Sequence, residues 1–430
     1  MALTGRAPLL ALLGVLPVLL LPSPWTVLAL ALLLLTACLA DIALAAPVSS
    51  LRLARAGATG CRLGTSAEVH LSVTNIGTRR ARGLLRDAWV PSAGAGPSVQ
   101  ALDVPPGERR VLTTTLHPTR RGDRRPVRIT VRSVGPLGVA ARQGAHDVPW
   151  RLRVQPPFTS RVFLPERLAR LRQLDGLVAA RTRGQGTEFD SLRDYVDGDD
   201  VRSIDWRATA RRAEVVVRTW RPERDRRLLL VLDTSRTSAG RVGDAPRLDA
   251  ALDAALLLAA LASRAGDRVD LLAFDRETRA AVQDVGRSEL LPRLVDAMAG
   301  LEPALVESDG RRLVSEVLRR ARHRSLVVLF TSLDRPALEE GLLPSLSALT
   351  SRHLLLLASV GDPRVEQLAA ARSDIGAVYD AASAARYRQA RRRTTALLRG
   401  RGVEVVDAPP ESFAPAVADS YLGLKAAGRL

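Results

Sequence analysis

The chain is nearly devoid of lysine, aromatic residues and cysteine, and each shortage excludes a class of chemistry. Lys425 is the only lysine, so a phosphate-binding loop of the GKS or GKT type is absent and Schiff-base catalysis is not expected. Aromatic residues make up 3% of the chain, which leaves no set of stacking platforms for single-stranded nucleic acid. The two cysteines, Cys38 and Cys61, provide neither a disulfide framework nor a CxxC metal site. We expect no nucleotide and no nucleic-acid partner.

Common catalytic motifs are also missing. The chain contains no HExxH sequence, no GxSxG elbow and no GxGxxG fingerprint after an apolar run. The histidines His70, His117 and His146 are far apart and show no metal-ligand spacing, and no nucleophile can be placed beside His323 or His353. We therefore predict a binding protein that is not an enzyme.

Apolar residues and arginine are what the chain has in abundance. An apolar fraction of 47% over 430 residues is ample for two or three packed domains. The formal net charge is +18, but the arginines are interleaved with Asp and Glu along the chain. We interpret this charge as a general preference for arginine in the composition of the chain, and not as a patch that binds nucleic acid.

The N-terminal region, residues 1–48, has the character of a membrane segment. Residues 7–40 carry no charge and are interrupted by Pro22-Ser23-Pro24. A helix rises about 1.5 Å per residue, so this stretch is too long for one span, and we predict a transmembrane helical hairpin with spans at 8–21 and 25–45. Arg6 precedes the first span and Arg52 follows the second, which predicts a multi-pass protein of the inner (plasma) membrane with most of its chain in the cytoplasm.

An alternative reading of the same region stays open. The sequence Leu35-Thr36-Ala37-Cys38 resembles the lipobox of a bacterial lipoprotein, which would place a lipidated Cys38 outside the cytoplasm. On that reading the chain would be an extracytoplasmic, lipid-anchored adhesion module. The apolar run is longer than an ordinary signal-peptide core, which favours the membrane hairpin.

Short alternating strands follow at residues 51–155, notably 69–75, 109–116 and 125–134. Gly and Pro turns separate them, a pattern typical of an antiparallel β-sandwich. Residues 156–226 then comprise a connector and a highly charged motif. The connector is predicted to be helical because apolar residues recur at helical spacing, at Leu164, Leu168, Leu171, Leu174 and Val178.

The charged motif carries alternating Asp and Arg residues, broken by Gly184, Gly186 and Gly198. Carboxylates and guanidiniums at this density can pair and hold a loop in place, with Tyr195 and Trp206 as its large apolar anchors. We predict an ordered platform that binds a partner through Glu188, Arg193, Tyr195, Asp199, Arg202, Asp205, Trp206 and Arg211. A solvated charge run, or a hydrolase that uses these carboxylates with a metal ion, are the alternatives.

Residues 227–430 alternate apolar strands with helices, which predicts a doubly wound α/β domain with a largely parallel sheet. Asp233 follows the first of these strands, at the end of the sheet where such domains bind ligands. One carboxylate and two hydroxyls, from Asp233, Ser235 and Thr237, form an oxygen set suited to Mg²⁺ or Mn²⁺.

A family resemblance extends these inferences. GTEFDSLRDYVDGDDVRSIDWRATARR followed by a strand ending in DTSRTS resembles the bacterial family catalogued as domain of unknown function fifty-eight. The RRG at residues 120–122 and the GPLGV at residues 135–139 are similar to the upstream region of that family.

The resemblance implies a von Willebrand factor A-like domain with a metal-ion-dependent adhesion site, whose Mg²⁺ shell a partner carboxylate completes. Ser308 matches the second loop of that site, whereas the third loop departs from the pattern because Asp334 comes two residues late. The resemblance also implies an adaptor that works with a MoxR-type AAA+ ATPase at the membrane.

Overall fold

The computed structural model describes residues 2–181, 188–197, 199–212, 214–221, 226–335 and 337–430. The chain divides into two compact units, Met1–Pro157 and Phe158–Leu430. The prediction of several domains with both α and β structure is confirmed at this level.

The N-terminal apolar region forms three helices of unequal length. The helices are α1 (Arg6–Leu13), α2 (Val15–Leu20) and α3 (Pro24–Leu44). The segment that begins at Pro24 is long and apolar enough to cross a membrane, whereas the preceding apolar segment falls short of the same length criterion. One candidate span is thus supported, and the second span of the predicted hairpin stays a prediction.

The rest of the first unit is built of strands. They are β1 (Ala2–Leu3), β2 (Leu51–Gly57), β3 (Gly60–Arg62), β4 (Ala67–Asn75), β5 (Ala81–Trp89), β6 (Ala95–Gly96), β7 (Val99–Val104), β8 (Arg109–Leu116), β9 (Gly122–Arg124), β10 (Pro126–Val134), β11 (Ala140–His146) and β12 (Leu152–Gln155). One antiparallel sheet has the order β1-β11-β10-β5-β7 and another has the order β2-β4-β8-β6. A third sheet, β3-β12-β9, pairs β3 in parallel with β12.

The two larger sheets share a core. Leu71 and Val73 of β4 are buried in the same cluster as Leu85 of β5 and Ile129 and Val131 of β10. Because side chains of a strand alternate between its faces, each sheet contributes one apolar face to this cluster.

A buried ion pair lies beside this core. The Arg55 guanidinium donates two hydrogen bonds to the Asp87 carboxylate, at 2.9 and 2.6 Å, and a third to the carbonyl of Val148 at 3.0 Å. The Trp89 indole also donates to Asp87, at 2.9 Å. Because the carboxylate is paired with the guanidinium and both accept or donate several hydrogen bonds, this pair avoids the penalty of an uncompensated buried charge.

A second buried carboxylate ties α3 to the strands of the same unit. Asp41 is fully buried near the C-terminal end of α3 and accepts hydrogen bonds from the backbone N–H groups of Leu137, Val139 and Ala140, at 2.7, 2.6 and 2.9 Å. These donors lie in the GPLGV turn and at the start of β11. A Cβ at Gly135 would overlap the Asp41 carboxylate, so the turn requires glycine there.

The second unit contains a connector helix, a charged hairpin and a mixed α/β domain. Its strands are β13 (Glu188–Asp194), β14 (Val216–Arg221), β15 (Arg227–Asp233), β16 (Arg241–Val242), β17 (Ala245–Pro246), β18 (Arg268–Phe274), β19 (Thr278–Val282), β20 (Leu326–Phe330), β21 (Leu354–Val360) and β22 (Glu404–Ala408). Its helices are α4 (Leu164–Arg181), α5 (Trp206–Arg212), α6 (Arg236–Ala239), α7 (Arg247–Arg264), α8 (Arg287–Ala299), α9 (Gly310–Arg320), α10 (Leu346–Thr350), α11 (Pro363–Ala370), α12 (Ile375–Gly400) and α13 (Pro410–Ala426).

The main sheet has the order β19-β18-β15-β20-β21-β22. All its neighbouring pairs are parallel except β18 with β19. Leu228, Leu230 and Leu232 pack into a cluster that includes α7 and α13, whereas Leu229 and Val231 pack against α9 and α10. The central strand is therefore an unbroken apolar run because both its faces are covered.

The periodicity of the sequence missed several elements of this unit. The apolar spacing does not indicate the antiparallel strand β19 or the helices α11 and α13. It predicts one helix over residues 338–349, where the structure has a π-helical turn (Ala337–Leu342), a 3₁₀ turn and the short helix α10. Helix α13 begins at Pro410 and contains Pro415. Because proline disfavours the interior of a helix, the sequence there does not predict one.

The Asp41 contacts generate a stability prediction. Replacing Asp41 with Ala leaves three N–H groups without their acceptor, and we expect the first unit to lose about 3 kcal/mol or more. Hydrogen exchange of the detergent-solubilised chain should show faster exchange at Leu137, Val139 and Ala140. Asp147→Ala, at an exposed carboxylate, serves as the control. Unchanged exchange at the three amides would contradict the role assigned to Asp41.

The second unit contains a buried histidine whose protonation is expected to oppose folding. His353 is 6% exposed, and neither ring nitrogen has a hydrogen-bond partner among the described residues. Burial lowers the pKa of His353 below its ordinary value of 6.5, and the neighbouring positive charge of Arg352 lowers it further. The unfolded chain therefore takes up this proton at a higher pH than the folded chain does.

Stability of the second unit should accordingly fall as the pH drops below about 6.5, by up to about 1.4 kcal/mol per pH unit from this group. Calorimetry of the chain and of His353→Leu at pH 7 and pH 5.5 measures the contribution. We expect the variant to lose less stability over this interval. His323→Leu, at an exposed histidine in the same unit, should behave as the native chain does. Identical pH dependence in all three proteins would refute the assignment.

Candidate binding site at the carboxyl edge of the second sheet

Asp233 is the last residue of β15 and lies at the carboxyl edge of the sheet. It is 5% exposed, and its Oδ2 accepts hydrogen bonds from the hydroxyls of Thr237 at 3.1 Å and Thr331 at 2.6 Å. Its Oδ1 accepts from the backbone N–H of Ser235 at 2.9 Å. No cation lies within ion-pair distance of Asp233 in the part of the chain that the structure describes.

The loop after Asp233 holds the predicted hydroxyls close to the carboxylate. The hydroxyls of Ser235 and Thr237 are 3.2 Å apart, and the Ser238 hydroxyl donates to the Asp233 carbonyl at 2.5 Å. The loop is fixed from the other side because Arg236 N–H donates to the Val306 carbonyl at 2.8 Å. The structure thus brings Asp233, Ser235 and Thr237 together.

Thr331 completes this oxygen set, and the sequence analysis did not assign it. It follows β20, the strand beside β15, and the pairing of Leu232 with Phe330 places Asp233 next to Thr331. The sequence shows that Thr331 directly follows a buried strand. It does not show that this strand, β20, lies beside β15, and that neighbour relation is what places Thr331 at the site.

Ser308 lies on the same side of the site but points elsewhere. Its hydroxyl donates to the backbone carbonyl of Asp275 at 3.3 Å, so no described contact joins it to Asp233. Asp275 is fully buried and accepts from the Thr234 hydroxyl at 3.2 Å and from Arg279 Nε at 2.7 Å. Asp275 therefore links the loop that carries Ser308 to the loop that carries Asp233.

The environment of Asp275 favours its charged form. Burial by itself raises the pKa of this carboxyl, but the hydrogen bond from Arg279 and the backbone N–H groups of Arg276 and Glu277 outweigh burial and lower the pKa below its ordinary value. Asp275 is thus a structural anion with its own cation, in contrast to Asp233.

The described contacts of Asp334 are with residues other than Asp233. Its carboxylate lies 3.7 Å from Arg247 Nη1 and 3.5 Å from the Tyr387 hydroxyl. Tyr387 also accepts a hydrogen bond from Arg391 at 3.0 Å. In this arrangement Asp334 fastens the loop after β20 to α7 and α12.

A cavity of about 330 Å³ opens beside the site. Its wall includes Asp233, Ser235, Ser308 and Thr331, with apolar residues such as Leu313 behind them. Among the described residues no group of three or more His, Cys, Asp or Glu side chains is placed to hold a metal ion. Any cation here would be held by one carboxylate and several hydroxyls, not by a carboxylate cluster.

The charged motif forms an antiparallel hairpin of β13 with β14. Asp199 accepts from Arg193 Nη2 at 2.5 Å and from Val196 N–H at 3.0 Å, and Asp205 accepts from Arg218 Nε at 2.8 Å. Asp205 also caps α5, accepting from the N–H groups of Arg207 and Ala208, both at 3.0 Å. Each described guanidinium contact uses one donor, so these pairs are not bidentate.

These contacts hold both aspartates ionised. The hydrogen bond from Arg193 and the Val196 N–H lower the pKa of Asp199. The Ala208 N–H, followed by Arg218, lowers the pKa of Asp205. Both carboxylates therefore stabilise the segment that connects β13 to β14.

The aromatic residues of the motif are less buried than anchors would be. Tyr195 is half-buried, but Trp206 is 69% exposed and accompanied by exposed Val196 and Val201. Arg202 and Arg211 are exposed. The side chain of Glu188 and the residues Gly184, Gly186 and Gly198 lie outside the described part of the chain. The segment between the hairpin strands thus leaves three large apolar side chains, Val196, Val201 and Trp206, exposed among charged residues.

Comparison with known proteins identifies a family match and uncharacterised relatives. The family described as "Protein of unknown function DUF58" matches residues 191–393. Uncharacterised proteins of Mycobacterium bovis and Mycobacterium tuberculosis are each 29% identical to this chain over 188 residues, which cover 43% of this chain and 58% of theirs. The matched region therefore spans little more than half the length of these relatives.

Solved structures give only weak likenesses. A CARDB domain from Pyrococcus furiosus, solved in complex with di-metal ions, is 17% identical, covers 26% of this chain and 91% of its own, and has a TM-score of 0.18. A β-glucosidase from Listeria innocua is 13% identical, covers 24% of this chain and 16% of its own, and has a TM-score of 0.16. Scores this low carry no argument about fold or function.

The contact between Thr331 and Asp233 can be tested directly. Thr331→Val removes the hydroxyl donor of a buried carboxylate while keeping the shape of the side chain, and we expect the second unit to lose about 1–3 kcal/mol. Thr331→Ser keeps the hydroxyl and should lose clearly less. Calorimetry of the three proteins at pH 7 makes the comparison. If the valine and serine variants are equally stable, the hydrogen bond does not support Asp233.

Proposed function

We propose that this chain is a membrane-anchored, cytoplasmic protein-binding adaptor that uses a divalent-cation site at Asp233. The observation that carries the proposal is the Asp233 carboxylate itself. It is almost fully buried, is surrounded by hydroxyl groups, lies on the wall of a cavity and has no cationic partner among the described residues. Three hydrogen-bond donors stabilise this carboxylate, and the cavity beside it leaves room for a divalent cation.

Mg²⁺ fits the donors present. Asp233 would supply a carboxylate oxygen, and Ser235, Thr237 and Thr331 would supply hydroxyl oxygens, which are hard ligands of the type that Mg²⁺ prefers. When bound, the ion would offer an open position to a carboxylate from a protein partner. The main sheet supports assignment of this unit to the von Willebrand factor A-like folds, as the family resemblance implies.

The segment between the hairpin strands offers a second contact for the same partner. Exposed aromatic residues bordered by polar groups are typical of binding hot spots, and Trp206 has this setting. The ion pairs at Asp199 and Asp205 hold this segment in shape, which reduces the entropy lost on binding. The family resemblance implies a MoxR-type AAA+ ATPase as this partner.

The first unit would serve as anchor and spacer. Helix α3 is the candidate span, and the proposed two-span hairpin would keep both ends of the chain in the cytoplasm. The sheets of this unit that share a core are suited to a β-sandwich. Cys38 lies inside α3, so the lipoprotein alternative gains no support from this helix.

The adaptor proposal is tested by affinity purification of the full-length chain from its native host in a mild detergent. The native chain is compared with Asp233→Asn and Trp206→Ala in Mg²⁺ and in EDTA, and captured proteins are identified by mass spectrometry. We expect an AAA+ ATPase to be enriched with the native chain in Mg²⁺ and reduced at least about tenfold by EDTA or by either substitution. Asp244→Asn makes the same charge change at an exposed turn and should bind normally.

The outcomes separate the parts of the proposal. Capture that persists in EDTA and with Asp233→Asn, but is lost with Trp206→Ala, would support the proposed partner and contradict the proposed cation site. Capture of cell-envelope proteins without an ATPase would overturn the proposed orientation and favour the adhesion alternative.

A further inference from the structure

Helix α12 presents a long outer face that the fold does not use. Its buried residues, Ala381, Ala384, Arg391, Thr394 and Leu398, lie along one side. The first turns of the helix are exposed on nearly all sides, since residues 375–380 are exposed apart from half-buried Ala377. Helix α11, which packs against α12, contributes no buried residue.

Apart from Gln389, the large side chains of the outer face are apolar or basic. Ile375 is 79% exposed and Tyr379 is 73% exposed, and Leu397 near the other end of the helix is 42% exposed. A rotation of about 100° per residue places Arg386 and Arg393 on the same line along the helix. The only acidic residue of α12 is Asp380, which the same rotation places away from this line.

The two arginines of this face have no structural role in the described part of the chain. No carboxylate lies within ion-pair distance of Arg386 or Arg393 there, and both are exposed. By contrast, Arg388 lies 3.2 Å from Glu366, and Arg391 lies 2.6 Å from Asp407 on the inner side of the helix. The helix therefore uses some arginines for packing and leaves others free on one face.

We propose that the outer face of α12 binds an anionic lipid surface. The side chains of Ile375, Val378 and Tyr379 would enter the headgroup region, and Arg386 and Arg393 would contact lipid phosphates. An exposed face that combines large apolar residues with arginine, and has no carboxylate between them, is complementary to such a surface.

A membrane is favoured over a protein partner because this chain itself carries a membrane-length helix, α3. The inference rests on the proposed membrane anchor in this respect. A tethered unit meets the lipid surface at high effective concentration, so a face of modest intrinsic affinity is enough. Docking through α12 would give the binding unit a second attachment to the bilayer.

The test uses the full-length chain in nanodiscs of phosphatidylcholine or phosphatidylglycerol with brominated acyl chains, which quench fluorophores that reach them. In a Cys38→Ser, Cys61→Ser background, a bimane label is attached at Ile375→Cys or, as the control position, at exposed Ser347→Cys. We expect quenching at position 375 in phosphatidylglycerol and none at position 347. Co-purification of the chain with the nanodisc reports anchoring by the N-terminal helix independently of the label.

Charge reversal supplies the second arm. Arg386→Glu with Arg393→Glu should shift the docking equilibrium by about 30-fold or more toward the free state and abolish the quenching at position 375. Arg322→Glu with Arg324→Glu makes the same change in net charge at exposed positions outside α12 and should leave quenching intact.

Two results would overturn the proposal. One is the absence of quenching at position 375 in phosphatidylglycerol while the chain remains anchored in the nanodisc. The other is quenching that is equal in both lipids and insensitive to the α12 charge reversal. Loss of anchoring itself would instead contradict the proposed membrane attachment, so the two failures are distinguishable.

Discussion

A carboxylate that leaves water must be surrounded by donors or paired with a cation, and this constraint organises both units of the protein. Asp87 meets it with the Arg55 guanidinium at the core between two sheets, and Asp275 meets it with Arg279 behind the loops of the second sheet. Asp41 meets it with three backbone N–H groups, which joins the candidate membrane helix to the GPLGV turn. Asp87 and Asp41 thereby connect segments that are distant in sequence, and Asp275 does so through the Thr234 hydroxyl.

Asp233 answers the same constraint in a different way. Its donors are hydroxyls and one backbone N–H, and it borders a cavity that is open to a ligand. Hydroxyl groups can donate to a carboxylate or turn to offer a lone pair to a cation, so this donor set can exist in two states. This is why a structural anion such as Asp275 and a candidate binding site can share one sheet edge.

The proposed binding surfaces follow from what the fold leaves exposed. The hairpin of β13 and β14 is held by ion pairs in place of an apolar core, so Trp206 remains available at the surface. Helix α12 is long enough to bury one side and leave an apolar and basic line on the other. The proposed cation site, the exposed Trp206 and the basic face of α12 thus lie on one unit, and each has a distinct chemical preference.

Sequence pattern alone located the apolar segment that contains the candidate span, the alternation of strands and helices, and the position of Asp233 after a buried strand, because burial imposes a regular period on apolar residues. The family resemblance singled out the GPLGV stretch without its role, and the charge pattern predicted an ordered Asp-Arg motif that binds a partner. Only the tertiary structure decided that Thr331 stands beside Asp233, that Asp334 turns toward Arg247, that Asp41 binds the GPLGV turn and that Trp206 is exposed. These facts depend on strand neighbours and on contacts between distant segments, which local periodicity does not encode.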